Sequence, residues 1–574
     1  MYRKKTKAGI KKDSKVLIKA AKKLDADYIR VVFPFSKENL EEIRTFNGRI
    51  WNKDKKYWKI PLTLENLLQL KKYKYRIADS LRNWGNAEYV RRKTHKTLNF
   101  GKLKDILYPY QKEGVAFIDR NNGKALIADE MGLGKTLQAI TYCSLYPQEK
   151  KILVICPASL KLNWAAEFRK WINRTDSEVI GGTKPYMLST NIIIINYDII
   201  NYWQSVLKKY EFDIVILDES HLIKNNAAKR TKAVKAVCKF IPKKIALTGT
   251  PIESKPAEIY NSVHLINPTL FPNKWAFLQR YCNPKHNGFG WDFSGASNIE
   301  ELHNILTKSV MIRRKKKDVL TDLPDKVYSS IPLVIDNKKA YTEAEHNFIN
   351  YLKKGIREKV ERQIKEATNE TNLQLIKIDE KELRKVQEKK TENVTILQQI
   401  EELKQLAARG KLKSIIRWIE DFLEVNDKLV LFTTHRFMID ALEANFSNIA
   451  VKIDGSVANS ERHKAVERFQ KDRKIKLFLG NIKAAGVGLT LTASSNVAIC
   501  EFPWTPGELN QAIDRVHRIG QKNTVNVHYL IAVDTIDEKI LNLLSKKQHV
   551  VDAVIDGKVT ENSSLLQDLI NSYK

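Results

Sequence analysis

The chain has 574 residues, which at about 150 residues per domain predicts three to four domains. Hydrophobic residues make up 43% and charged residues 29%, so a fibrous or largely disordered chain is disfavoured. Lys and Arg number 99 against 66 Asp and Glu, which leaves a formal charge of +33. A chain this basic is expected to bind a polyanion, either nucleic acid or an anionic membrane surface.

Local patterns disfavour several further classes of protein. No run approaches the ~18 apolar residues of a transmembrane helix, and the basic N-terminal sequence has no apolar stretch, so we expect no signal peptide. The cysteines are odd in number and far apart, which disfavours a disulfide framework or a zinc ribbon and favours a reducing compartment. We expect the cytoplasm of a bacterium or of a virus-infected cell, or the nucleus if the source is eukaryotic. The five cysteines are Cys143, Cys156, Cys238, Cys282 and Cys500.

The positive charge is concentrated near the N-terminus. The first 100 residues contain 27 Lys and Arg against 10 Asp and Glu, about half of the net charge, which indicates a segment that faces nucleic acid. Residues 29–35 are predicted as a strand and 62–75 as a helix. Residues 49–62 are predicted as a hairpin whose polar, basic turn lies between Trp51 and Trp58.

Beyond residue 100, short apolar runs alternate with helical segments, a pattern typical of buried parallel sheets with helical crossovers. The runs are KALIAD, KILVICP, NIIIINYD, FDIVILDE and KKIALTGT, and after residue 410 KLVLFTT, AVKIDG, IKLFLGN, NVAICEF and VNVHYLI. We therefore predict an α/β chain with two parallel-sheet domains and a small α+β N-terminal domain. Residues 356–409 lack Gly and Pro and are rich in Glu, Lys, Gln and Leu, which predicts a long helical insertion. Its mixed charges favour a spacer or scaffold over a chemical site.

A phosphate-binding loop is predicted at DEMGLGKT, residues 129–136, between an apolar strand and a helix. Gly132 and Gly134 allow backbone N–H groups to approach phosphate oxygens, and the helix N-terminus adds a positive dipole end. Lys135 would reach the β- and γ-phosphates, and the Thr136 hydroxyl would bind Mg²⁺. The general pattern has glycine where this chain has Asp129, so the loop taken alone departs from it.

Two further motifs supply acids and arginines. DESH, residues 218–221, follows the apolar run IVIL, so Asp218 can hold Mg²⁺ and Glu219 can orient and deprotonate the attacking water. QAIDRVHRIGQ, residues 511–521, places Arg515 and Arg518 three apart, on one face if helical, where they can stabilise charge on the γ-phosphate. Alone, the acids could cap a helix, and the arginines could form a solvated or nucleic-acid-facing stripe.

Taken together, these motifs resemble the Swi/Snf-type helicase-like ATPases of superfamily 2. The resemblance runs in order from about residue 105 to 545, and Asp129 matches that family's own variant of the phosphate loop. The other strings that carry it are LYPYQKEGV (107–115), ILVICPASLKLNWAAEF (152–168), LTGTPI (247–252), MIRRKKKDVLTDLP (311–324), IDGSVANSERHKAVERFQ (453–470) and AAGVGLTLTASSNVAICEFPWTPGELNQAIDRVHRIGQ (484–521).

The resemblance implies two tandem RecA-like lobes that bind ATP and Mg²⁺ in the cleft between them and close to hydrolyse ATP. It implies ATP binding by Gln111, Asp129, Gly132, Gly134, Lys135 and Thr136; catalysis by Lys135, Asp218, Glu219, Arg515 and Arg518; magnesium binding by Thr136 and Asp218; and coupling to lobe movement by Thr248, Gly249, Thr250 and Gln511.

Residues 33–73 resemble the HARP domain of annealing helicases through a strand, a helix and the two-tryptophan hairpin. This resemblance implies contact with duplex or branched DNA; the candidate contacts are Trp51, Lys55, Lys56 and Trp58 here and Arg436 and Trp504 in the second lobe. Alternatively, the two hairpin tryptophans are ordinary core. The predicted domains are residues 1–98 (DNA-binding), 99–318 (first lobe), 319–409 (linker and insertion) and 410–574 (second lobe).

The leading hypothesis is a DNA-dependent ATPase that translocates on duplex DNA and remodels or reanneals forks. Three alternatives stay open: a translocase that displaces DNA-bound proteins, a non-catalytic DNA-binding scaffold and an RNA helicase. The ordered motor motifs explain the basic charge without a membrane partner. The preferred DNA structure, the direction of movement and any protein partner are not encoded in a recognisable pattern.

Overall fold

The computed structural model describes residues 18–25, 28–46, 48–93, 98–252, 255–286, 291–293, 295–369, 378–485, 489–555, 569 and 572–573. Residues 1–17 and 486–488, the second of which belong to a predicted second-lobe motif, lie outside the described part. The chain divides into two compact units. The first contains Met1–Leu98 with Asn267–Lys274, and the second contains Asn99–Ile266 with Trp275–Lys574.

The N-terminal unit is a five-stranded sheet covered by helices, with strand order β3-β4-β2-β1-β5. Its elements are β1 (Ala20–Lys23), β2 (Tyr28–Val32), α1 (Lys37–Arg44), β3 (Ile50–Asn52), β4 (Tyr57–Pro61), α2 (Leu64–Lys72), β5 (Arg76–Ile77) and α3 (Asp79–Lys93). Ser36 and Thr63 begin α1 and α2 by accepting backbone N–H bonds. Apolar side chains from the sheet and the helices form the core, Ile29 and Leu70 among them. The predicted strand, hairpin and helix are all present.

The first lobe of the second unit is built on a seven-stranded sheet of order β14-β6-β11-β10-β7-β9-β8, in which every pairing is parallel. Its elements are α4 (Pro109–Arg120), β6 (Lys124–Ile127), α5 (Lys135–Ser144), β7 (Ile152–Cys156), α6 (Lys161–Ile172), β8 (Ser177–Val179), β9 (Ile192–Asn196), α7 (Ile200–Lys209), β10 (Ile214–Asp218), α8 (Lys229–Cys238), β11 (Lys243–Leu247), α9 (Tyr260–Ile266), α10 (Lys274–Tyr281), β12 (Lys285–His286), β13 (Trp291–Asp292), α11 (Ile299–Ser309), β14 (Met311–Ile312) and α12 (Lys316–Val319). Three neighbouring strands, β6, β11 and β10, end at one edge, so the loops that follow them meet there.

The second lobe has a six-stranded parallel sheet of order β15-β20-β19-β16-β18-β17. Its elements are β15 (Lys326–Leu333), α13 (Lys338–Asn369), α14 (Ile378–Val425), β16 (Leu429–Thr433), α15 (Arg436–Phe446), β17 (Ala450–Ile453), α16 (Asn459–Lys471), β18 (Leu477–Asn481), α17 (Ile482–Ala485), β19 (Asn496–Ile499), α18 (Pro506–Ile513), β20 (Val525–Ala532) and α19 (Ile536–Ile555). Two tandem parallel sheets and a small α+β domain confirm the predicted fold class.

Residues 319–409, predicted as a linker and a helical insertion, belong in part to the second lobe. Strand β15 lies inside residues 319–409 and pairs with β20, so it is an edge strand of the second lobe. Helix α14 does not end at residue 409 but continues to Val425, and its residues Ile400 and Leu403 are buried in the second-lobe core. Composition predicted the helix but not its packing, because a charged sequence can still present one apolar stripe. None of the helices in the described ranges is long and apolar enough to cross a membrane.

Candidate ATP-hydrolysis site between the two lobes

The phosphate loop follows β6 and ends at the first turn of α5. Gly132 and Gly134 have φ of 86° and 74°, in the left-handed region that favours glycine. A Cβ at Gly134 would lie 2.4 Å from Gln111 Nε2, so this glycine is required for close packing as well as for conformation. Lys135 Nζ donates to the carbonyl oxygens of Asp129 (2.8 Å) and Glu130 (3.3 Å), and Thr136 is the second residue of α5. The loop is therefore folded around the lysine that would reach the phosphates.

Gln111, one of the predicted ATP-binding residues, holds the phosphate loop in place through hydrogen bonds. Its Nε2 donates to the Leu133 carbonyl at 3.1 Å, and its Oε1 accepts the Tyr108 backbone N–H at 3.1 Å. The Tyr110 hydroxyl donates to the same Leu133 carbonyl at 3.2 Å. Gln111 is buried in this arrangement, so it is placed to fix the loop in addition to any contact with a base.

Asp129 occupies the glycine position of the general pattern, and its carboxylate is held by Arg314. This arginine lies in residues 311–324, at the end of the first lobe where the chain passes to the second, called the inter-lobe segment below. Arg314 donates Nε to Oδ1 at 2.9 Å and Nη2 to Oδ2 at 2.6 Å, a bidentate pair. Gln138 Nε2 adds a bond to Oδ2 at 3.0 Å. Asp129 is fully buried, so its side chain is committed to this pair, and only its backbone carbonyl turns to Lys135. The sequence prediction placed Asp129 among the ATP ligands; the structure gives it a supporting position.

The two acids of DESH lie at the end of β10, both buried. Asp218 Oδ2 accepts from the Trp164 indole N–H at 2.9 Å, and Asp218 Oδ1 accepts the Glu219 N–H at 3.0 Å. Burial and the neighbouring Glu219 charge raise the pKa of Asp218 to about 6, against the indole bond, which lowers it. Glu219 has φ of 50°, in the left-handed region that residues other than glycine rarely adopt.

Glu219 is held ionised by its surroundings. Burial acts to raise its pKa, but His221, Lys135 and Arg515 outweigh that effect, so the pKa of Glu219 is lowered. His221 Nδ1 lies 3.3 Å from Glu219 Oε2 and pairs with it, although among the described residues this buried oxygen has no contact with full hydrogen-bond geometry. A carboxylate oxygen can accept more than one hydrogen bond, so ionised Glu219 is suited to bind and orient water.

The predicted coupling residues of the first lobe follow β11 and touch both motifs. Thr248 Oγ1 lies 3.1 Å from His221 Nδ1 and accepts the Thr250 N–H at 3.1 Å. A Cβ at Gly249 would lie 2.4 Å from Met131 Sδ and 3.5 Å from Lys135 Nζ. The loop 248–250 therefore lies against both DESH and the phosphate loop, and its role in coupling stays a prediction.

The second lobe brings its two arginines to this edge. Arg515 is buried, its Nε donates to the Gln511 carbonyl at 3.2 Å, and its Nη2 finds no hydrogen-bond partner within the part of the chain that the structure describes. Arg518 Nη1 donates to the Leu489 carbonyl at 2.7 Å, and a Cβ at Gly132 would lie 3.5 Å from Arg518 Cγ. Burial and the Arg518 charge lower the pKa of Arg515, and the charges of Glu219 and Asp218 act against them. Both arginines therefore face the first-lobe motifs.

Sequence reasoning missed the residues that connect these motifs. Trp164, His221, Arg314, Lys316, Asp514 and His517 lay inside strings quoted for the family resemblance, but none was assigned a role. Lys316 and Asp514 form a buried ion pair of 2.8 Å between the inter-lobe segment and the second lobe. In a basic run such as RRKKKD, the sequence does not show which lysine is buried unless its partner is known. Here the partner of Lys316 is about 200 residues away.

The predicted DNA contacts lie at several places. In the N-terminal unit Lys55 and Lys56 are exposed on the β3–β4 turn, and Trp51 is 43% exposed while Trp58 packs on the core, the ring centroids being 5.2 Å apart. Trp58 thus matches the core interpretation, and Trp51 presents a free face.

In the second lobe Arg436 is exposed and lies 3.5 Å from Asp440, whereas Trp504 packs against the core. The Lys404 ammonium lies 4.7 Å from the Trp504 ring centroid. Trp504 is therefore less available for contact with DNA than Arg436.

The acidic and hydroxyl groups fit a magnesium ion held jointly with a nucleotide. Mg²⁺ takes oxygen ligands and is usually bound through one or two carboxylates with substrate phosphates, not by a full protein cage. Asp218 and Thr136 supply two such oxygens, and the buried Glu219 carboxylate beside them adds local negative charge. In the part of the chain that the structure describes, no group of three or more His, Cys, Asp or Glu could hold a metal ion by itself.

Comparison with known families decides the assignment. The SNF2-related domain matches residues 110–407, which is more than half of the chain, and the helicase conserved C-terminal domain matches residues 410–520. The chain belongs to the SNF2-related family. It is therefore a helicase-like ATPase, and the two matched domains meet between residues 407 and 410.

Relatives of this SNF2-related chain include two named groups. It is 34% identical over 486 residues to the bovine DNA annealing helicase and endonuclease ZRANB3, covering 81% of this chain and 42% of the relative. It is 33% identical over 458 residues to the Xenopus laevis SWI/SNF-related matrix-associated actin-dependent regulator of chromatin subfamily A-like protein 1, covering 78% and 44%. The chain thus spans less than half the length of these relatives.

A solved structure, the Sulfolobus solfataricus SWI2/SNF2 ATPase core in complex with dsDNA, is 28% identical and covers 79% of this chain and 93% of that one, with a TM-score of 0.36.

Proposed function

We propose that this ATPase is stimulated by DNA, translocates on duplex DNA and remodels or reanneals branched DNA. The observation that carries the ATPase mechanism is the packing of Arg518, from the second lobe, against the phosphate loop of the first lobe: a Cβ at Gly132 would lie 3.5 Å from Arg518 Cγ. Hydrolysis needs a group that orients water and cations that stabilise the γ-phosphate. The first lobe supplies Glu219 and Lys135, and the second lobe adds Arg515 and Arg518.

Each residue receives a role from its position. Lys135 binds the phosphate chain, and Glu219 orients the attacking water and accepts its proton. Arg515 and Arg518 stabilise negative charge on the phosphate being cleaved, a contribution worth about 10³–10⁵ in rate for arginines of this kind. Asp218 and Thr136 would hold Mg²⁺, which when bound neutralises phosphate charge.

The DNA part of the proposal rests on charge and exposure. The first 100 residues carry 27 basic against 10 acidic side chains, and exposed Lys55 and Lys56 lie on the turn that follows the strand of half-exposed Trp51. Lysines bind phosphates of any sequence, and an exposed aromatic ring can stack on an unpaired base. A relative named as an annealing helicase supports action on branched DNA. We infer residence in the compartment that holds the DNA, the bacterial or viral host cytoplasm or a nucleus.

The test is the ATP turnover rate with single-stranded, duplex and forked DNA of equal length at one salt concentration. We expect duplex to stimulate turnover strongly and forks most strongly. No turnover with any nucleic acid would refute the enzyme, and stronger stimulation by RNA would refute the DNA assignment. Fork regression and displacement of a bound protein, measured on matched substrates, separate the proposed activity from a protein-displacing translocase.

A further inference from the structure

The inter-lobe segment contacts both walls of the cleft through Arg314 and Lys316. Toward the first lobe, Arg314 binds the Asp129 carboxylate, the Arg314 carbonyl accepts the Glu130 N–H at 3.0 Å, and the Lys316 N–H donates to Glu130 Oε2 at 2.8 Å. Residues 314–316 thus hold the first two residues of the phosphate loop through side chains and backbone.

Toward the second lobe, the Lys316 ammonium contacts Asp514 and His517. Nζ lies 2.8 Å from Asp514 Oδ1, 2.7 Å from the His517 carbonyl and 3.4 Å from His517 Nδ1. His517 Nε2 donates to the Pro324 carbonyl at 2.7 Å, which leaves Nδ1 as an acceptor for the lysine. The Lys316 and Asp514 side chains are each only 4% exposed.

These contacts lie directly beside the arginines. Asp514 immediately precedes Arg515, and His517 immediately precedes Arg518. A single lysine is therefore fixed to the phosphate loop by its backbone and to the arginine segment by its side chain. A buried ion pair contributes little net stability, since the cost of desolvation offsets most of the Coulomb attraction, but it defines position sharply.

We propose that Lys316 is a positioning residue for ATP hydrolysis, which with Asp514 sets the distance of Arg515 and Arg518 from the phosphate loop. Displacement of a reacting group by about 1 Å can cost on the order of 10²-fold in rate. The inference rests on the proposed hydrolysis of ATP at this cleft and adds the device that aligns its two halves.

The first experiment compares Lys316→Met with Lys411→Met in the full chain. Lys411 is a matched control, because it is also a fully buried lysine paired with an aspartate, Asp537, but both lie within the second lobe. We expect Lys316→Met to lower kcat about 10- to 100-fold while the Kd of a fluorescent ATP analogue changes less than about threefold. Lys411→Met should lower the thermal midpoint and leave kcat within about threefold.

Two more variants keep the test decisive if Lys316→Met folds poorly. Asp514→Asn preserves shape and removes the charge, so we expect a similar fall in kcat. Lys316→Arg retains the charge and should recover part of the loss. A kcat within about threefold of the parent in both Lys316→Met and Asp514→Asn, or an equal loss in Lys411→Met, would overturn the proposal.

The second readout measures lobe position without turnover. All five native cysteines are buried, so Ser205→Cys on α7 and Ala444→Cys on α15, at two exposed positions in different lobes, can be spin-labelled selectively. With a non-hydrolysable ATP analogue, we expect one narrow inter-lobe distance in the parent and in Lys411→Met, and a broadened or longer distance in Lys316→Met. An unchanged distribution refutes the positioning role, whereas absent turnover in the parent refutes only the proposed function.

Discussion

The two units of the chain use their cations in opposite ways. In the N-terminal unit Lys55 and Lys56 stand exposed on a turn, where water and salt screen them. In the motor Lys316, Lys411 and Arg515 are almost fully buried, and each faces a carboxylate or a carbonyl oxygen. Net charge therefore predicts binding to a polyanion, whereas the chemistry depends on a few buried cations whose partners fix their positions.

The sharpest test of a buried cation is Arg515→Ala. We expect kcat to fall about 10³-fold or more, because the transition state loses its partner from the second lobe, while ATP still binds to the first lobe. Steady-state turnover and equilibrium nucleotide binding measure the two effects. Arg473→Ala, at an exposed position in the same lobe, should leave both unchanged. Turnover retained in Arg515→Ala would remove this residue from the catalytic role.

The next largest effect is expected at the buried pair Arg314–Asp129. Arg314→Met leaves Asp129 charged and buried without its partner, which typically costs about 3–5 kcal/mol. Thermal unfolding, with hydrogen exchange in β6 and α5, should show the loss in the first lobe. Arg280→Met is the matched control, since the Arg280–Glu301 pair is largely exposed and worth about 0–1 kcal/mol. Equal losses in the two variants would contradict the distinction between buried and surface cations.

A smaller effect is expected from pH at His435, which lies between Glu401 on α14 and Glu501 after β19. Burial lowers its pKa, but hydrogen bonds to the two carboxylates outweigh burial and raise the pKa to about 9. Protonated His435 therefore stabilises the folded state; this stabilisation is complete below about pH 6.5, the ordinary pKa of histidine, and is lost as pH rises through 9. After solvent screening we expect it to contribute on the order of 1–2 kcal/mol to the free energy of unfolding.

The thermal midpoint of the second lobe, followed from pH 6 to 9.5, measures this contribution. Glu401→Gln should flatten the profile over that range, because His435 then loses one of the two groups that retain its proton. A profile in Glu401→Gln that is parallel to that of the parent would assign the pH dependence to other groups.

The smallest effect is expected at the exposed cations. Replacement of both Lys55 and Lys56 by Ala should weaken fork binding several-fold. It should also reduce the slope of log K against log salt concentration by about one to two, since each phosphate contact contributes about 0.9 to that slope. Titration of fluorescent forks at several salt concentrations measures both quantities. The same double change at Lys71 and Lys72 on α2 is the control for charge without position. Identical losses in the two double variants would show that only net charge matters.

Features set by neighbouring residues could be predicted from the sequence, whereas contacts between residues far apart in the chain could not. The phosphate loop, DESH and the loop 248–250 could be predicted because each follows a strand whose apolar pattern is local, and parallel strands end at one edge. The fold class follows from the same pattern. The exposed hairpin of the N-terminal unit was predicted for the same reason.

The partners of these motifs could not be predicted by such reasoning. Arg314 and Asp129 are 185 residues apart, and Lys316 and His517 are 201 apart, so nothing local indicates that they meet. Strand β15 was assigned to the linker, because its pairing with β20 is a long-range contact that nothing local indicates.

The hydrogen bond from Trp164 to Asp218 makes the cleft spectroscopically visible. The chain has ten tryptophans, and each indole N–H gives its own nitrogen–proton resonance. In the described structure the Trp164 indole donates to the carboxylate that would receive Mg²⁺, so its resonance should shift when that carboxylate changes partner. Loading of the cleft can then be followed by magnetic resonance in the unmodified protein, with no attached probe and no turnover.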